Sequence, residues 1–550
     1  MGEVQGTLFR LECNKSVEVE ARPERLTSDG GVLLLRELWD RLGLSALIRR
    51  HLTDPRDASR TRHPFLELVR TRVLAMAQGW RDQDDVSLLR DDPAFRLAVS
   101  RRRGDSPLRE SRGNAPEGLC SQPTLSRLMS TLGTEENRAG LGVILREVVA
   151  PLLGADRREI TLDLDSLPYE VHGHQPGSAW NGHYRTRCYH PIVASVLGRF
   201  FLGARLRPGN VHTADGGLDF VLPILRWLKA FIPRVWLRAD AGFPAPSFLD
   251  TLEEEEVPYV FRLRSNRTLD QLAEPLLRRP RGRPPAEGRT WLHELPYRAT
   301  SWSRARRVIL VVVERPDDQQ HLFLDHFFLL TNASAEEESA EDLLHRYRQR
   351  GSAEADFGDC HAAIPPCLSS APRPKQHYRG HPVHGPAGGH DAFATNEAEL
   401  LLSLLAANLM AAGAQLLHTD GERRMSRERF RTLLLKTSAR VLLGRRRVTV
   451  VIASARARLW PLRQGGGDQG VMRTGIAQGQ AQRQIDRHTG IAADADGHLR
   501  HQRHGTAGVL RREFQRQNQF TCVADRAETV LVKHDGPWPV RRDSGHVLRL

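Results

Sequence analysis

The chain has 550 residues, and its 80 lysines and arginines outnumber its 66 aspartates and glutamates, for a formal net charge of +14 at pH 7. Hydrophobic cores stop growing at roughly 250–300 residues, so the expectation from this length is two or three domains and not one core. The surplus is carried almost wholly by arginine, whose fork suits phosphate, and six cysteines with no C-x-x-C pair exclude a disulfide framework and a zinc ribbon.

The opening MGEVQGTLFRLEC lacks a basic run followed by an apolar core, and no apolar stretch approaches the ~20 residues that cross a bilayer. The expectation is a cytoplasmic protein without membrane contact. From about 27 to 130 the pattern is helical. Ser28-Asp29 can cap GVLLLRELWDRLG, with Leu33, Leu34, Leu35, Leu38 and Leu42 on one stripe, and His63-Pro64 opens FLELVRTRVLAMAQGW. An Arg, Gly, Ser and Pro run at 101–118 is a linker, followed by TLSRLMSTL.

At Glu159 the texture changes. ITLDLDSL alternates apolar and acidic residues, as a half-buried strand does. HPIVASVLG and FFLGARLR continue as strands, GGLDFVLPILRWLKAF as a helix, VWLRAD as a strand, PSFLDTLEEEE as a helix and PYVFRLR as a strand. Three strands followed by helix, strand, helix, strand define an α/β domain with a mixed sheet. Residues 266–335 break that rhythm with LLRRPRGRPPAEGR and the strand-like RRVILVVVE and LDHFFLLTN, which predict a separate inserted β-rich subdomain. Helix resumes through EEESAEDLLHRYRQRGSAEADFGD. After a Pro-, His- and Gly-rich loop at about 364–391, NEAELLLSLLAANLMAAGAQLL and RERFRTLLLKTSARVLL predict an amphipathic helical region at 392–462. From about 464 to 550 periodicity collapses, which predicts a tail without a packed core.

Four acids fall on the α/β elements. Asp163 and Asp165 are two apart on one strand and so share a face; Asp240 ends VWLRAD, and Glu354 lies in the helix after 339. Acids at buried strand ends are costly unless compensated, and hard divalent cations with oxygen ligands compensate them. Any one of them alone reads first as a turn cap or a solvated helix residue.

Their company is more specific. Tyr347-x2-Arg350-x3-Glu354 resembles the Tyr-Arg-Glu-Lys signature of bacterial insertion-sequence DDE transposases with a β-rich insertion before the last Glu. LTSDGGVLLLREL, SQPTLSRL, LDLDS, HGHQPGSAWNGHYRTRCYHP, RPGNVHTADG, RADAGF and RYRQRGSAE together resemble the insertion-sequence 1380 group, over about residues 15–462. The resemblance implies an RNase H-like catalytic domain at 151–265 and 336–363, interrupted by the insertion at 266–335. It also implies a helical N-terminal domain at 1–130 that binds DNA ends. By position it implies a catalytic triad of Asp165, Asp240 and Glu354, with Asp163 as the alternative first acid, sharing two Mg²⁺ or Mn²⁺ ions. Tyr347 and Arg350 would contact DNA phosphate. The Lys position of the signature holds His361, a departure that weakens one phosphate contact. The partners implied are duplex DNA, as terminal inverted repeats and target, and a second copy in a synaptic complex, in a bacterial, nucleoid-associated setting.

Other DNA candidates lie in the insertion. PRGRP at 280–284, with Arg281 and Arg283, resembles the minor-groove AT-hook, although a solvated loop accounts better for so short a motif in an Arg-rich chain. Trp291 and Trp302 can stack on a flipped base or pack in a core. HGHQPGSAWNGHYR is a β-hairpin or a substrate loop, with His172, Gln175 and Asn181 as candidates, and His212 is similarly open.

Overall fold

The structure is a computed structural model that describes residues 6–460 apart from 23, 101–117, 174, 280, 282–286, 316–323, 371–376, 379–380, 383–391, 418–424, 445–446 and 458. Arg283 and the tail after 464 lie outside the described residues.

The elements that follow the N-terminal helices are strands β1 (Glu159–Ser166), β2 (Ile192–Val196) and β3 (Phe200–Arg205), helix α5 (Gly217–Lys229), strand β4 (Arg234–Ala239), helix α6 (Pro246–Glu254) and strand β5 (Tyr259–Leu263). They fall where the periodicity predicts, because β1 and β4 are buried almost throughout and the intervening helices present one apolar face. β1 pairs in parallel with β4, with Ile160 opposite Val235 and Leu164 opposite Ala239, and β4 is parallel to β5. β2 and β3 add as antiparallel neighbours on the other side of β1.

Three further strands, β6 (Arg289–Tyr297), β7 (Arg306–Glu314) and β8 (Asp325–Thr331), complete one eight-stranded mixed sheet in the order β6-β7-β8-β5-β4-β1-β2-β3. A separate inserted subdomain was expected here. Instead β8 pairs antiparallel with β5, Val260 opposite Thr331, so the insertion extends the main sheet. Val308, Leu310 and Val312 on one face, and Ile309 and Val311 on the other, are fully buried. A strand with two apolar faces needs cover on both sides, and an existing sheet edge provides a place for it.

Helices α1 (Val32–Arg41), α2 (Phe65–Gln78), α3 (Gln122–Leu132) and α4 (Glu135–Val149) pack around α9 (Ala392–Leu417). This region corrects two expectations. α9 is long and apolar enough to cross a membrane by length and composition, yet most of it is buried. Leu400, Leu401, Leu402, Leu404 and Leu405 are all buried, so it is apolar all round, as a central core helix is, and has no solvent face to make it amphipathic. Its polar residues are matched: Glu399 pairs with Arg72 in a nearly sealed ion pair, Glu397 pairs with Arg138, and the Asn408 amide bonds both the N–H and the C=O of Phe201 at 2.8 Å. Asn408 thereby satisfies a stretch of the β3 sheet edge. One continuous apolar cluster links these helices to the sheet, so the helical region and the α/β region share a core.

The second correction lies at 427–452. Beyond a short helix, Arg427–Phe430, and a wide turn, Ala439–Leu443 is a strand rather than a helix, paired with Val448–Ile452 and with Leu26–Thr27. Its burial alternates from Ala439 to Arg440 to Val441, which is period two. The chain before α1 docks on this unit: Gly30 and Gly31 donate to the Thr437 and Leu435 carbonyls at 2.9 and 3.2 Å. A Cβ on Gly31 would lie 2.3 Å from the Leu435 Cα. Gly31→Ala is therefore expected to lower stability by about 1–3 kcal/mol, read from the urea midpoint.

Candidate active site

Parallel strands β1 and β4 run side by side, and Leu164 opposite Ala239 is the last pair of their register. One residue further on, Asp165 and Asp240 sit together at the strand ends. Asp240 starts a tight turn, its carboxylate accepting the Gly242 N–H at 2.9 Å. Helices α7 (Ala340–Arg348) and α8 (Arg350–Ala363) abut at Gln349 and carry Tyr347, Arg350 and Glu354 over the same edge.

Arg350 organises this centre. Its guanidinium donates to Asp165 at 2.8 Å and pairs with Glu354 one turn along α8. Burial opposes its charge, but Asp165, Glu354, Tyr347 and Asp240 outweigh that and raise its pKa. Burial pushes the Asp165 carboxyl up to about 6; Arg350 opposes that push, and neighbouring Asp240 and Glu354 add to it. The sheet and α8 thus bring Asp165, Asp240 and Glu354 into one electrostatic neighbourhood, with an arginine among them. Among the described residues, no three His, Cys, Asp or Glu side chains are gathered tightly enough to hold a metal ion between them.

Asp163 is placed differently. It lies opposite Arg238 in the β1–β4 register and accepts two hydrogen bonds from that guanidinium, at 2.6 and 2.9 Å, with both side chains buried. Arg238 also donates to the Arg346 carbonyl at the end of α7. Arg346 in turn pairs with Glu159 at 2.9 Å and Glu338 at 2.6 Å, and stacks 4.1 Å from the Trp236 ring centroid. These pairs line a cleft of about 550 Å³ beside the acids. Their effect is to tie the helix that precedes Arg350 to the two acid-bearing strands.

The remaining candidates divide. Tyr347 is partly buried against Phe327, 6.2 Å between ring centroids, and burial raises its pKa. His361 packs 4.9 Å from the Tyr169 ring, and burial lowers its pKa, so it brings little positive charge to the position where the signature has Lys. Trp302 is buried, edge-on to Tyr297 and under Arg306, so in this structure it is a core residue and not a base-stacking one. Trp291 is half-buried on β6 beneath Arg289, and Arg281 is exposed. Residues 179–181 and 186–189 form a hairpin in which the Asn181 side chain caps the turn at His183 N–H, 3.0 Å, and holds the Gly209 carbonyl at 2.7 Å. His172 is exposed, Gln175 is half-buried, and the His212 ring accepts the Ala214 N–H at 3.3 Å.

Two residues of this segment escaped the sequence reading. Tyr184 lies within electrostatic reach of the acids: partial burial raises its pKa, and the charges of Asp165 and Asp240 raise it further. His190 meets Tyr184 edge-on with 5.8 Å between ring centroids and is buried, and among the described residues its Nε2 has no hydrogen-bond partner. The interleaved aromatic and His residues of HYRTRCYH were the available signal.

No curated protein sequence matches the chain. A solved structure of piggyBac transposase, in a synaptic complex with hairpin DNA, aligns with 75% of this chain and 80% of its own at 13% identity and a TM-score of 0.34. The family model described as transposase DDE domain group 1 matches residues 9–360. With that match spanning well over half the sequence and both acid-bearing strands, the chain belongs to the DDE transposase domain family.

Proposed function

We propose that this protein is a transposase that cuts at the inverted-repeat ends of its element and joins the freed 3′-hydroxyl to target duplex DNA. Asp165, Asp240 and Glu354 serve as its acidic triad. The observation that carries the proposal is the junction of Asp165 and Asp240 at neighbouring parallel strand ends, with Glu354 joined to Asp165 through Arg350. The strand order β3-β2-β1-β4-β5, with β1, β4 and β5 parallel, supports an RNase H-like assignment. The insertion-sequence 1380 group is the proposed subgroup, and two copies holding two ends in the host nucleoid is the proposed assembly.

The donor chemistry of the centre suits divalent cations, once its three carboxylates are drawn closer than they lie here. All three donors are hard carboxylates, and a carboxyl pushed up to about 6 by burial and like-charged neighbours gains from a cation beside it. Asp165, Asp240 and Glu354 would hold Mg²⁺ or Mn²⁺, which when bound activates an attacking oxygen and stabilises a leaving one. Asp163 is neutralised by Arg238, which favours Asp165 as the first acid. Arg350 stands in for a cation in this state. Once released from Asp165 and Glu354, its fork is free to grip a DNA phosphate.

A strand-transfer assay on an inverted-repeat duplex with Mg²⁺ or Mn²⁺ tests the proposal. Joined product supports it; cutting without joining leaves a nuclease; binding with neither leaves a DNA-binding relic. A second readout needs no DNA. Mn²⁺ is expected to raise the melting temperature of the wild-type chain and not that of Asp165→Ala or Asp240→Ala. Arg350→Ala should bind Mn²⁺ roughly tenfold more tightly, because an internal competitor is gone. A wild-type melting temperature indifferent to Mn²⁺ rejects the metal assignment.

A further inference from the structure

A second charged feature lies far from the acids in sequence. The loop before α2 carries Arg56, Arg60, Arg62 and His63; Arg90 follows the short helix Val86–Leu89; Arg127 lies on α3. All six line one trough of about 590 Å³. Two aspartates partly balance them: Asp54 holds Arg56 at 2.8 Å, and Asp57 lies 3.7 Å from Arg60. Arg62, Arg90 and Arg127 are exposed, and among the described residues no carboxylate pairs with any of them. Burial lowers the His63 pKa, and the charges of Arg62, Arg90 and Arg56 lower it further, which places these guanidiniums around one point.

The trough is built to stay in place. Arg56 also donates to the His63 carbonyl at 3.2 Å, which closes its loop on itself. Asp57 caps the following turn through the Ser59 N–H at 2.9 Å, and the Leu119 N–H is tied to the Arg90 carbonyl at 3.0 Å. Like-charged guanidiniums held together without a matching set of acids cost free energy unless an anion joins them.

We propose that this trough binds the sugar–phosphate backbone of duplex DNA as a sequence-independent contact separate from the acidic centre. The proposal rests on DNA being the substrate of that centre. Thr61, Ser121 and Thr124 add hydroxyls of the kind that meet phosphate oxygens. No Phe, Tyr or Trp lines the trough among the described residues, so it has no platform on which unpaired bases would stack. An open, exposed row of arginines suits a long polyanion better than a small enclosed one.

Fluorescence anisotropy of the full chain from 50 to 300 mM KCl tests this, with one 30-base-pair duplex carrying the inverted repeat, one unrelated duplex, a single strand and a duplex RNA. The triple variant R62A/R90A/R127A is expected to show a log–log salt slope shallower by about three, and a loss on the order of 100-fold on both DNA duplexes near 0.15 M salt. The triple lysine variant keeps most of the slope and guards against a folding defect, as does an unchanged circular dichroism spectrum. Arg41→Ala, which removes an exposed arginine paired with Glu37 outside the trough, leaves the slope unchanged. An unchanged slope in the triple alanine variant overturns the proposal, as does a loss confined to the inverted repeat, to the single strand or to RNA. A wild type that joins strands while the triple alanine variant keeps its slope removes the trough and leaves the transposase reading. Loss of slope in a chain that never joins strands does the reverse.

Discussion

Replacing Asp165, Asp240 or Glu354 by Ala should reduce cleavage at the element's ends by a factor on the order of 10³ or more. DNA affinity should stay within about twofold, because it rests on arginine–phosphate contacts away from the acids. The two outcomes together identify a chemical role, since a structural residue would lower binding and cleavage in step with folded protein. Asp165→Asn offers a further check through its pH dependence. The folded-state pKa of Asp165 is raised from 3.8 to about 6, so the stability linked to this group is fully present below 3.8 and is lost as pH rises through about 6. Asp165→Asn should therefore be more stable relative to wild type at pH 8 than at pH 4, by on the order of 1–3 kcal/mol without added metal. Full cleavage by Asp165→Ala would remove this residue from the triad.

Asp163 should respond in the opposite way. Its carboxylate and the Arg238 guanidinium are 4% and 5% exposed, so deleting one leaves a buried charge without its partner. Asp163→Ala and Arg238→Ala are each expected to cost about 3–5 kcal/mol in chemical denaturation, because desolvation of the survivor is no longer compensated. The double variant Asp163→Leu/Arg238→Met should recover most of that loss, since an apolar pair replaces an ion pair at little net cost. At temperatures where Asp163→Ala remains folded it should still cut DNA and still be stabilised by Mn²⁺. Arg238→Ala should lower cleavage as well as stability, because Arg238 also holds the Arg346 carbonyl and so the approach of α7 to Arg350. A cost below about 1 kcal/mol for both single variants would show that the pair does not secure the site.

The local pattern of the chain determined a good deal. ITLDLDSL and VWLRAD alternate or end as strands must when one face is buried and the strand end is acidic, so the α/β elements were legible from periodicity, while the choice of Asp165, Asp240 and Glu354 as a triad came from the family resemblance. Period alone could not separate Asp163 from Asp165, because residues two apart share a strand face; in the fold Arg238 lies opposite Asp163 while Asp165 meets Arg350. Nor could it tell that β6, β7 and β8 join the main sheet, since edge-to-edge pairing of β8 with β5 is a contact between segments about 70 residues apart. A run such as LLLSLLAANLM is apolar in every direction, and whether it covers a surface or fills a core depends on what surrounds it. Here helices α1 to α4 and β3 surround it. Arg440 and Val441 took strand geometry because Leu26–Thr27 and Val448–Ile452 offered hydrogen bonds on both sides. The same holds for charge. Composition determined that the chain is basic, but only folding brought Arg62, Arg90 and Arg127 into one trough and set Arg350 between Asp165 and Glu354, because Coulomb interactions depend on distance in space and not on distance along the chain.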